Sequence, residues 1–274
     1  VGGYVSAPIC RAARHLKIPV VTCSYDSKPG MATKMQARYA ATVAVAHTPS
    51  TLRRAQLTGA PVRAELRHLD RGASRAASRM RLGFSADAKL VVVMGGSLGS
   101  AVLNSATESL VAQMESPSLA NVAILHIAGS RYMEGQQLAS EMRRPDGSMM
   151  YQRIAYSSNM SDIYAAADLV VARAGASTVA EIATVGIASV LVPWKDAAEN
   201  HQLTNAKSLS DPGGAVLLEE SKLADDVFVQ LIGDLLGDES MRLHIANEAR
   251  KLGEVHRNCS IAAVVEKAAD GVVR

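Results

Sequence analysis

The chain has 274 residues, of which 48% are hydrophobic, and a formal net charge of +3, a length that suits one large or two ordinary domains. No run of 18 uncharged apolar residues occurs, so the sequence predicts no membrane-spanning helix. Three cysteines and seven scattered histidines lack the spacing of a metal site, which predicts a reduced, cytosolic protein without a metal cluster.

The charge is unevenly distributed along the chain. Residues 1–85 carry 14 Lys and Arg against three acidic residues, a net +11, whereas the remainder carries −8. This asymmetry predicts an anionic partner for the first part, with nucleic acid, anionic lipid and a diphosphate ligand as the alternatives. Four arginines at helical i, i+4 spacing predict a solvated face or, alternatively, a membrane or phosphate contact: Arg67, Arg71, Arg75 and Arg79.

Apolar strands alternate with helices along the whole chain. Continuous apolar strands separated by helices indicate an α/β fold with parallel sheets covered on both faces, and its ligands bind beyond the carboxyl ends of the strands. In chain order the patterns predict a helix over 8–16, a strand over 18–23, a helix over 31–40, a strand over 41–46, a breaker cluster over 58–62, strands over 90–94, 122–128 and 151–155, a helix over 162–167, a strand over 169–172, a helix over 177–185, a strand over 188–192, and helices over 199–210, 223–236, 239–252 and 258–272.

A glycine-rich turn follows the strand over 90–94. It reads Gly95-Gly96-Ser97-Leu98-Gly99-Ser100 and leads into an apolar-periodic helix. Glycines let a ligand approach the backbone, and a helix N-terminus offers unpaired N–H groups to an anion. By themselves these residues predict a phosphate site and a ligand-free tight turn equally well.

A second turn of small residues, 173–178, precedes the helix that contains Glu181. Small and hydroxyl-bearing residues at this helix start would admit a ligand, and the Glu181 carboxylate can accept hydrogen bonds from vicinal hydroxyls, as on a ribose. The same carboxylate is equally explained by the helix dipole. The polar segment over 193–205 predicts either the lining of a sugar pocket or plain surface.

Together these segments resemble the MurG family, the UDP-N-acetylglucosamine (UDP-GlcNAc) transferases that make lipid II in bacterial peptidoglycan synthesis. The match over 160–186 is highly specific, whereas GGSLGS alone would be weak. The stretches that carry the resemblance are GGYVSAP (2–8), IPVV (18–21), KPG (28–30), GAPVR (59–63), VMGGSLGSAVLN (93–104), MSDIYAAADLVVARAGASTVAEIATVG (160–186) and ENHQLTNA (199–206).

The resemblance implies a GT-B glycosyltransferase fold with two Rossmann-like domains, of which the N-terminal one is incomplete here. The expected division is 1–63 plus about 258–274 for the acceptor domain, and 64–257 for the UDP-GlcNAc-binding domain. On the donor side it implies Gly95, Gly96, Ser97 and Gly99 at the diphosphate with Arg63 nearby, Gly175, Ala176, Ser177 and Thr178 around the nucleotide, Glu181 at the ribose, Ser157 at the uracil, and His201, Gln202 and Asn205 at the GlcNAc. On the acceptor side it implies Gly2, Gly3, Tyr4 and Asp26. It implies no metal and no other cofactor, with UDP-GlcNAc as the donor substrate.

Two features depart from the family pattern. The family begins with a strand and a GGTGGH-type loop that carries its proposed catalytic base, and this sequence contains no such loop. The chain opens on Val1 and a glycine pair, so we expect a fragment that lacks roughly 100 residues. The HEQN-like segment of the family is here Cys23-Ser24-Tyr25-Asp26, in which Asp26 is either a base or an Asx-turn residue.

The implied reaction is the inverting transfer of GlcNAc from UDP-GlcNAc to the 4-hydroxyl of the muramoyl sugar of lipid I. With its acceptor half incomplete, this chain alone is expected to bind the donor weakly or not at all and to turn over little. Two alternatives stay open: another GT-B enzyme that uses a UDP-sugar, and a non-catalytic UDP-sugar-binding module that needs a partner chain.

The family works as a peripheral protein at the cytoplasmic face of the bacterial cell membrane. The basic first segment is therefore expected to approach an anionic membrane surface. The residues concerned are Arg11, Arg14, Lys17, Lys34 and Arg38. Nucleic acid is not expected as a partner, because the segment lacks interleaved aromatic residues and a recognition motif.

Overall fold

A computed structural model describes residues 5–133, 139–224 and 226–271. Within these ranges no helix is both long and apolar enough to cross a membrane. The helices are α1 (Ser6–His15), α2 (Met31–Ala37), α3 (Ala64–Arg67), α4 (Arg71–Leu82), α5 (Ala101–Ala112), α6 (Met160–Ala166), α7 (Ala176–Val185), α8 (His201–Ser210), α9 (Asp226–Gly237), α10 (Glu239–Leu252), α11 (Glu254–Arg257) and α12 (Ile261–Asp270). The strands are β1 (Val21–Ser24), β2 (Thr42–Val45), β3 (Ala55–Leu57), β4 (Lys89–Met94), β5 (Val122–Ile127), β6 (Glu141–Arg143), β7 (Met149–Ile154), β8 (Leu169–Ala172), β9 (Ser189–Leu191) and β10 (Val216–Leu217).

The described strands form two sheets. The first is parallel, in the order β1-β2-β3. The second has the order β10-β9-β8-β4-β5-β7-β6 and is parallel except for β6, which runs antiparallel to β7. The predicted α/β class with two Rossmann-like units is confirmed.

Both faces of the larger sheet are buried at its central strands β4, β5, β8 and β9, as the continuous apolar strands predict. Along β4, Leu90 and Val92 point into one apolar layer, together with Ile182 of α7. Val91 and Val93 point into the opposite layer, together with Leu110 of α5 and other buried residues. Because successive side chains of a strand point to opposite faces, each helix layer covers its own face of the sheet.

The order of the strands creates a switch point beside β4. The chain runs from β4 to β5 and β7 on one side, then returns to β8 on the other side of β4. Met94 and Ala172, which end β4 and β8, are register partners. The loops that follow them diverge, and a crevice at such a switch point is where open α/β sheets bind ligands.

The segments that connect the two sheets run side by side. Gly59 has a φ of +74°, and a Cβ there would collide with the backbone of Val255. The Ala60 N–H donates to Nδ1 of His256 over 3.0 Å, and burial lowers the pKa of His256 to about 4. Downstream, α12 packs against β1 and β2. This arrangement agrees with a last helix that returns to the first unit, and boundaries at residues 63 and 257 stay a prediction.

The structure adds three short strands to the predicted pattern. β3 has three residues, all exposed, and β10 has two half-buried residues, so neither carries the apolar run by which a strand is identified. β6 is an antiparallel edge strand of three residues. β1 begins at Val21, three residues later than predicted, because the backbone pairing with β2 starts there.

The arginine stripe does not form a solvated face at Arg71 and Arg79, and that interpretation was wrong for these two residues. A membrane or phosphate contact of the stripe stays a prediction. In α4 the guanidinium of Arg71 donates to the carbonyl oxygens of Tyr164, Ala167 and Gly186. Arg79 has a side-chain exposure of 1% and pairs with Asp168 over 2.5 Å. These arginines satisfy the last carbonyls of α6 and α7, which have no partner within their own helices.

The ion pair of Arg79 and Asp168 generates a test of this packing. Asp168→Ala removes the carboxylate that Arg79, Arg75 and the Leu90 N–H all use. A buried guanidinium is then left unpaired, so we expect a loss of about 3 kcal/mol or more in the free energy of unfolding, measured by urea denaturation. Glu115→Ala, at an exposed position, is the control and should change stability by less than about 0.5 kcal/mol. A loss in Asp168→Ala no larger than that of the control would contradict this account.

Candidate functional site

A cleft of about 680 Å³ opens at the carboxyl ends of the strands, at the switch point between β4 and β8. It is lined by the glycine-rich turn, the start of α7, and loops that follow β5, β9 and β10. The lining residues are Gly95, Gly96, Ser97, Leu98, Gly99, Ser100, Ala101, Val102, Arg131, Tyr132, Arg173, Gly175, Thr178, Trp194, Lys195, Asp196, Gln202 and Glu220.

The glycine-rich turn needs its glycines for two different reasons. Gly96 has a φ of +84° and open space around a potential Cβ, so its role is conformational. Gly99 has a φ of +76°, and a Cβ there would collide with the carbonyl oxygen of Ala128 and approach the Tyr132 ring. Gly129 packs against the Gly99 backbone in turn. The turn is therefore held in place by backbone packing, while Ser97 stays exposed in the cleft.

Two helices begin at the cleft. α5 is capped by Ser100, whose Oγ accepts from the Leu103 N–H. α7 starts after Gly175, which supplies no side-chain cap, so the first N–H groups of this helix have no side-chain acceptor at that position. Gly175 and Thr178 line the cleft. Two helix N-termini at one crevice favour an anionic ligand.

Glu181 lies one turn into α7 and contacts Arg63. Its Oε2 accepts from the Tyr164 hydroxyl over 3.0 Å, and its Oε1 is 3.7 Å from Nη2 of Arg63. Burial raises the pKa of Glu181, and the Tyr164 hydrogen bond and the Arg63 charge oppose that rise. Arg63 also donates to the carbonyl of Ser158. Arg63 therefore contacts Glu181 and the segment next to Ser157, and it is not among the residues that line the cleft.

The segment over 157–159 is ordered by its own side chains. The Oγ of Ser157 accepts from the Asn159 N–H over 3.2 Å, and Asn159 caps α6. Through the Ser158 carbonyl this segment meets Arg63. Arg63 thus links the predicted ribose residue, Glu181, to the segment that contains the predicted uracil residue, Ser157. Neither Glu181 nor Ser157 is among the residues that line the cleft.

The three predicted sugar residues of α8 have different surroundings. Gln202 lines the cleft, and its Oε1 accepts from the Trp194 N–H over 3.0 Å. His201 does not line the cleft, and its Nδ1 lies 2.6 Å from the Ala198 carbonyl oxygen. The α8 helix thus brings one of its predicted polar residues into the cleft.

Asn205 is buried, with an exposure of 1%. It accepts from the Ser27 N–H and donates to Asp26 and to the Ala174 carbonyl. Its amide thus makes three hydrogen bonds within the protein, and its predicted place at the sugar stays a prediction. Asn205 joins the loop after β1, through Asp26 and Ser27, to Ala174, which precedes the cleft residue Gly175. Asp26, predicted on the acceptor side, is its partner, and Gly2, Gly3 and Tyr4 lie outside the described residues.

Several cleft residues were not named as site residues from the sequence. They are Arg131, Tyr132, Arg173, Trp194, Lys195, Asp196 and Glu220. Arg173 belongs to the predicted turn over 173–178. Trp194, Lys195 and Asp196 belong to the segment over 193–205, for which the lining of a sugar pocket was one of the two predictions. The sequence could have indicated Arg173, because it directly follows the buried strand β8, and residues that follow such strands lie at the carboxyl edge of the sheet, where ligands bind. The sequence does not indicate Glu220, because it follows β10, a strand of two residues that has no recognisable apolar run. Within the described ranges no group of three or more His, Cys, Asp or Glu is placed to hold a metal ion.

Comparison with known proteins identifies the family. Residues 90–257 match the glycosyltransferase family 28 C-terminal domain. Over 268 residues the chain is 37% identical to the UDP-N-acetylglucosamine–N-acetylmuramyl-(pentapeptide) pyrophosphoryl-undecaprenol N-acetylglucosamine transferase of Acidothermus cellulolyticus, covering 98% of this chain and 71% of that protein. The enzyme of the same name from Paenarthrobacter aurescens is 35% identical over 257 residues, with 92% of this chain and 66% of that protein covered.

This chain belongs to the MurG family of glycosyltransferases. The crystal structure of Acinetobacter baumannii MurG superposes with a TM-score of 0.74 at 26% identity, over 97% of this chain and 72% of that one. The predicted GT-B fold is thereby confirmed. The chain spans 62 to 71% of the length of the curated relatives that it matches.

The collision at Gly99 provides a test of the turn in this MurG-family chain. Gly99→Ala places a side chain at a positive φ and against the Ala128 carbonyl, so we expect a loss of about 2 kcal/mol or more in unfolding free energy. Gly233→Ala is the matched control, because Gly233 lies inside α9 with open space at its Cβ. It should be neutral or stabilise by up to about 1 kcal/mol, as read from denaturant unfolding of both variants. Equal stabilities of the two variants would argue against the turn geometry.

Proposed function

We propose that the cleft is the donor site of a UDP-GlcNAc-dependent transferase. The diphosphate would lie on the Gly95–Ser100 turn and the start of α7, the ribose at Glu181, and the uracil near Ser157. GlcNAc would lie toward Gln202. The observation that carries this proposal is the meeting of two helix N-termini at the switch point, with a paired carboxylate one turn into α7.

The proposed reaction is the inverting transfer of GlcNAc to lipid I, which gives lipid II and UDP. The 4-hydroxyl oxygen of the acceptor forms a bond to C1 of GlcNAc, and the bond from C1 to the diphosphate oxygen breaks. The departing UDP needs charge stabilisation, which helix N-termini, turn N–H groups and the side chains of Lys195 and Arg131 are placed to supply. The proton of the acceptor goes to a general base that is not assigned to a residue of this chain.

Glu181 gives the sharpest test of donor binding. Glu181→Ala should lower the affinity for UDP about tenfold or more, because a charged acceptor of ribose hydroxyls is removed. Ligand-observed NMR with millimolar UDP and UDP-GlcNAc measures this even when binding is weak. Glu65→Ala is the matched control, since Glu65 also faces Arg63, over 3.6 Å, but is half-exposed.

Of the two outcomes that the sequence leaves open for this chain, weak donor binding and none, the donor-site proposal requires weak binding. Two results would therefore overturn it: no UDP contact with the unaltered chain at millimolar UDP, or equal affinities of the Glu181→Ala and Glu65→Ala variants. The acceptor is tested separately with radiolabelled UDP-GlcNAc. Label transferred to another lipid acceptor but not to lipid I would contradict the assignment to lipid II synthesis.

We also propose that the first unit meets an anionic membrane surface at the cytoplasmic face of the cell membrane. α1 has no buried residue. Ile9 and Leu16 are 67% and 66% exposed, and Arg14 lies over the Tyr39 ring at 4.9 Å. A face with exposed apolar side chains among basic residues favours an interface of lipid headgroups.

Charge reversal on this face tests the membrane proposal. Arg11→Glu combined with Lys34→Glu should lower binding to vesicles that contain anionic lipid by about tenfold or more, as measured by flotation. The control is Lys207→Glu combined with Lys222→Glu, an equal change of charge at exposed positions of the second unit. Binding that does not depend on anionic lipid content, or that falls equally in both variants, would count against the proposal.

A further inference from the structure

We propose that Arg173 is a positioning residue for the donor site and that Glu220 sets the charge that the cleft presents to a diphosphate. This inference rests on the proposed function, because it concerns how the same cleft holds and releases UDP. The two side chains form an ion pair over 2.6 Å and are each 10% exposed. Both line the cleft.

Arg173 contacts the last residue of the glycine-rich turn, Ser100. Its Nε and Nη2 both donate to Oγ of Ser100, over 3.1 and 2.8 Å. That hydroxyl also caps α5 by accepting from the Leu103 N–H. The guanidinium therefore fixes the residue at which the turn becomes a helix, and with it the direction of the turn's N–H groups.

Arg173 also contacts the loops that follow β9 and β10. Nη1 donates to the carbonyl of Val192, over 3.3 Å, and to Glu220. Glu220 in turn lies 3.5 Å from the Lys195 N–H. One guanidinium thus joins the turn after β4 to the loop after β9 and to the segment after β10.

Arg173 has little hydrogen-bonding capacity left for a ligand. A guanidinium has five N–H donors, and four of these already point at Ser100, Val192 and Glu220. Arg173 is therefore not free to grip a phosphate with a two-pronged contact. Its role is to hold the loops that do so.

Glu220 also determines the net charge of the cleft. The Glu220 carboxylate neutralises Arg173 where water is largely excluded, so the pair adds little positive potential. Lys195 and Arg131 also line the cleft, and neither forms an ion pair in the described part of the chain. Glu220 lies on the same loops and opposes any anion that binds there. The expected consequence is weaker retention of UDP, which favours release of this product.

The test compares UDP with uridine, which lacks the phosphates. Glu220→Gln keeps an oxygen for Arg173 but removes the negative charge, so UDP affinity should rise by about fivefold or more, because charges interact strongly at low effective dielectric. Uridine affinity should stay unchanged. Arg173→Gln should lower UDP affinity, and Arg173→Lys should not restore it, because an ammonium cannot hold three separate oxygens in the same plane.

A matched control separates this effect from general disturbance of a buried ion pair. Asp168 pairs with Arg79, and its side chain is 12% exposed. It precedes β8, at the opposite end of that strand from the cleft, so Asp168→Asn should lower stability without changing UDP affinity. Isothermal titration with each ligand and a thermal melt of each variant provide the measurements.

The outcomes are distinguishable. Contact of UDP with the unaltered chain, together with unchanged or weaker UDP binding in Glu220→Gln, would overturn this inference and leave the donor site standing. Absence of UDP binding in the unaltered chain would overturn both. If Glu220→Gln does not fold, Arg173→Gln decides alone: a UDP affinity equal to that of the unaltered chain would overturn the positioning role, and a lower one with unchanged uridine affinity would support it.

Discussion

The structure of the site depends on one topological constraint, the pairing of β4 with both β5 and β8. Since the chain leaves β4 toward β5 and returns on the side of β8, the loops after these two strands separate. Within the described ranges, no connecting segment crosses between the loop after β4 and the loop after β8. The helices α5 and α7 both begin at the edge of this gap. A crevice with two helix N-termini follows from strand order alone, before any side chain is considered.

Side chains then decide whether this crevice keeps its shape. Gly99 and Gly129 pack backbone against backbone, which allows the turn to lie close to β5. Arg173 holds the opposite loops by four hydrogen bonds. Asn205 connects the crevice to the loop after β1 through Asp26 and Ser27. The first unit is thus joined to the site at a buried amide, one turn along α8 from Gln202.

The sequence predicted the main elements because each has a local signal. The apolar runs of β4 and β5 and the glycine that ends α7 determine those elements on their own. The specific match over 160–186 also led to the correct family. β3 and β10 escaped prediction because tertiary pairing, and not their own residues, makes them strands.

The residues that the sequence misplaced are those whose surroundings come from distant segments. The spacing of Arg71, Arg75 and Arg79 correctly indicates a helix, but nothing local reveals that this face meets the carbonyl ends of α6 and α7. The sequence likewise gives no sign that the Asn205 amide donates to Asp26, 179 residues away. Glu220 acquires a role only through Arg173. Polar side chains form partners across the fold, and their pairing has no periodicity to identify it.

The central claim is that the crevice beside β4 binds the diphosphate of UDP through backbone N–H groups. The most direct measurement is a titration of the isotope-labelled chain with UDP, followed by backbone amide chemical shifts. We expect the largest shifts at Gly96, Ser97 and residues 176–178, with smaller ones near Glu181. Shifts concentrated on α1 and α2, or spread evenly over the basic surface, would contradict it.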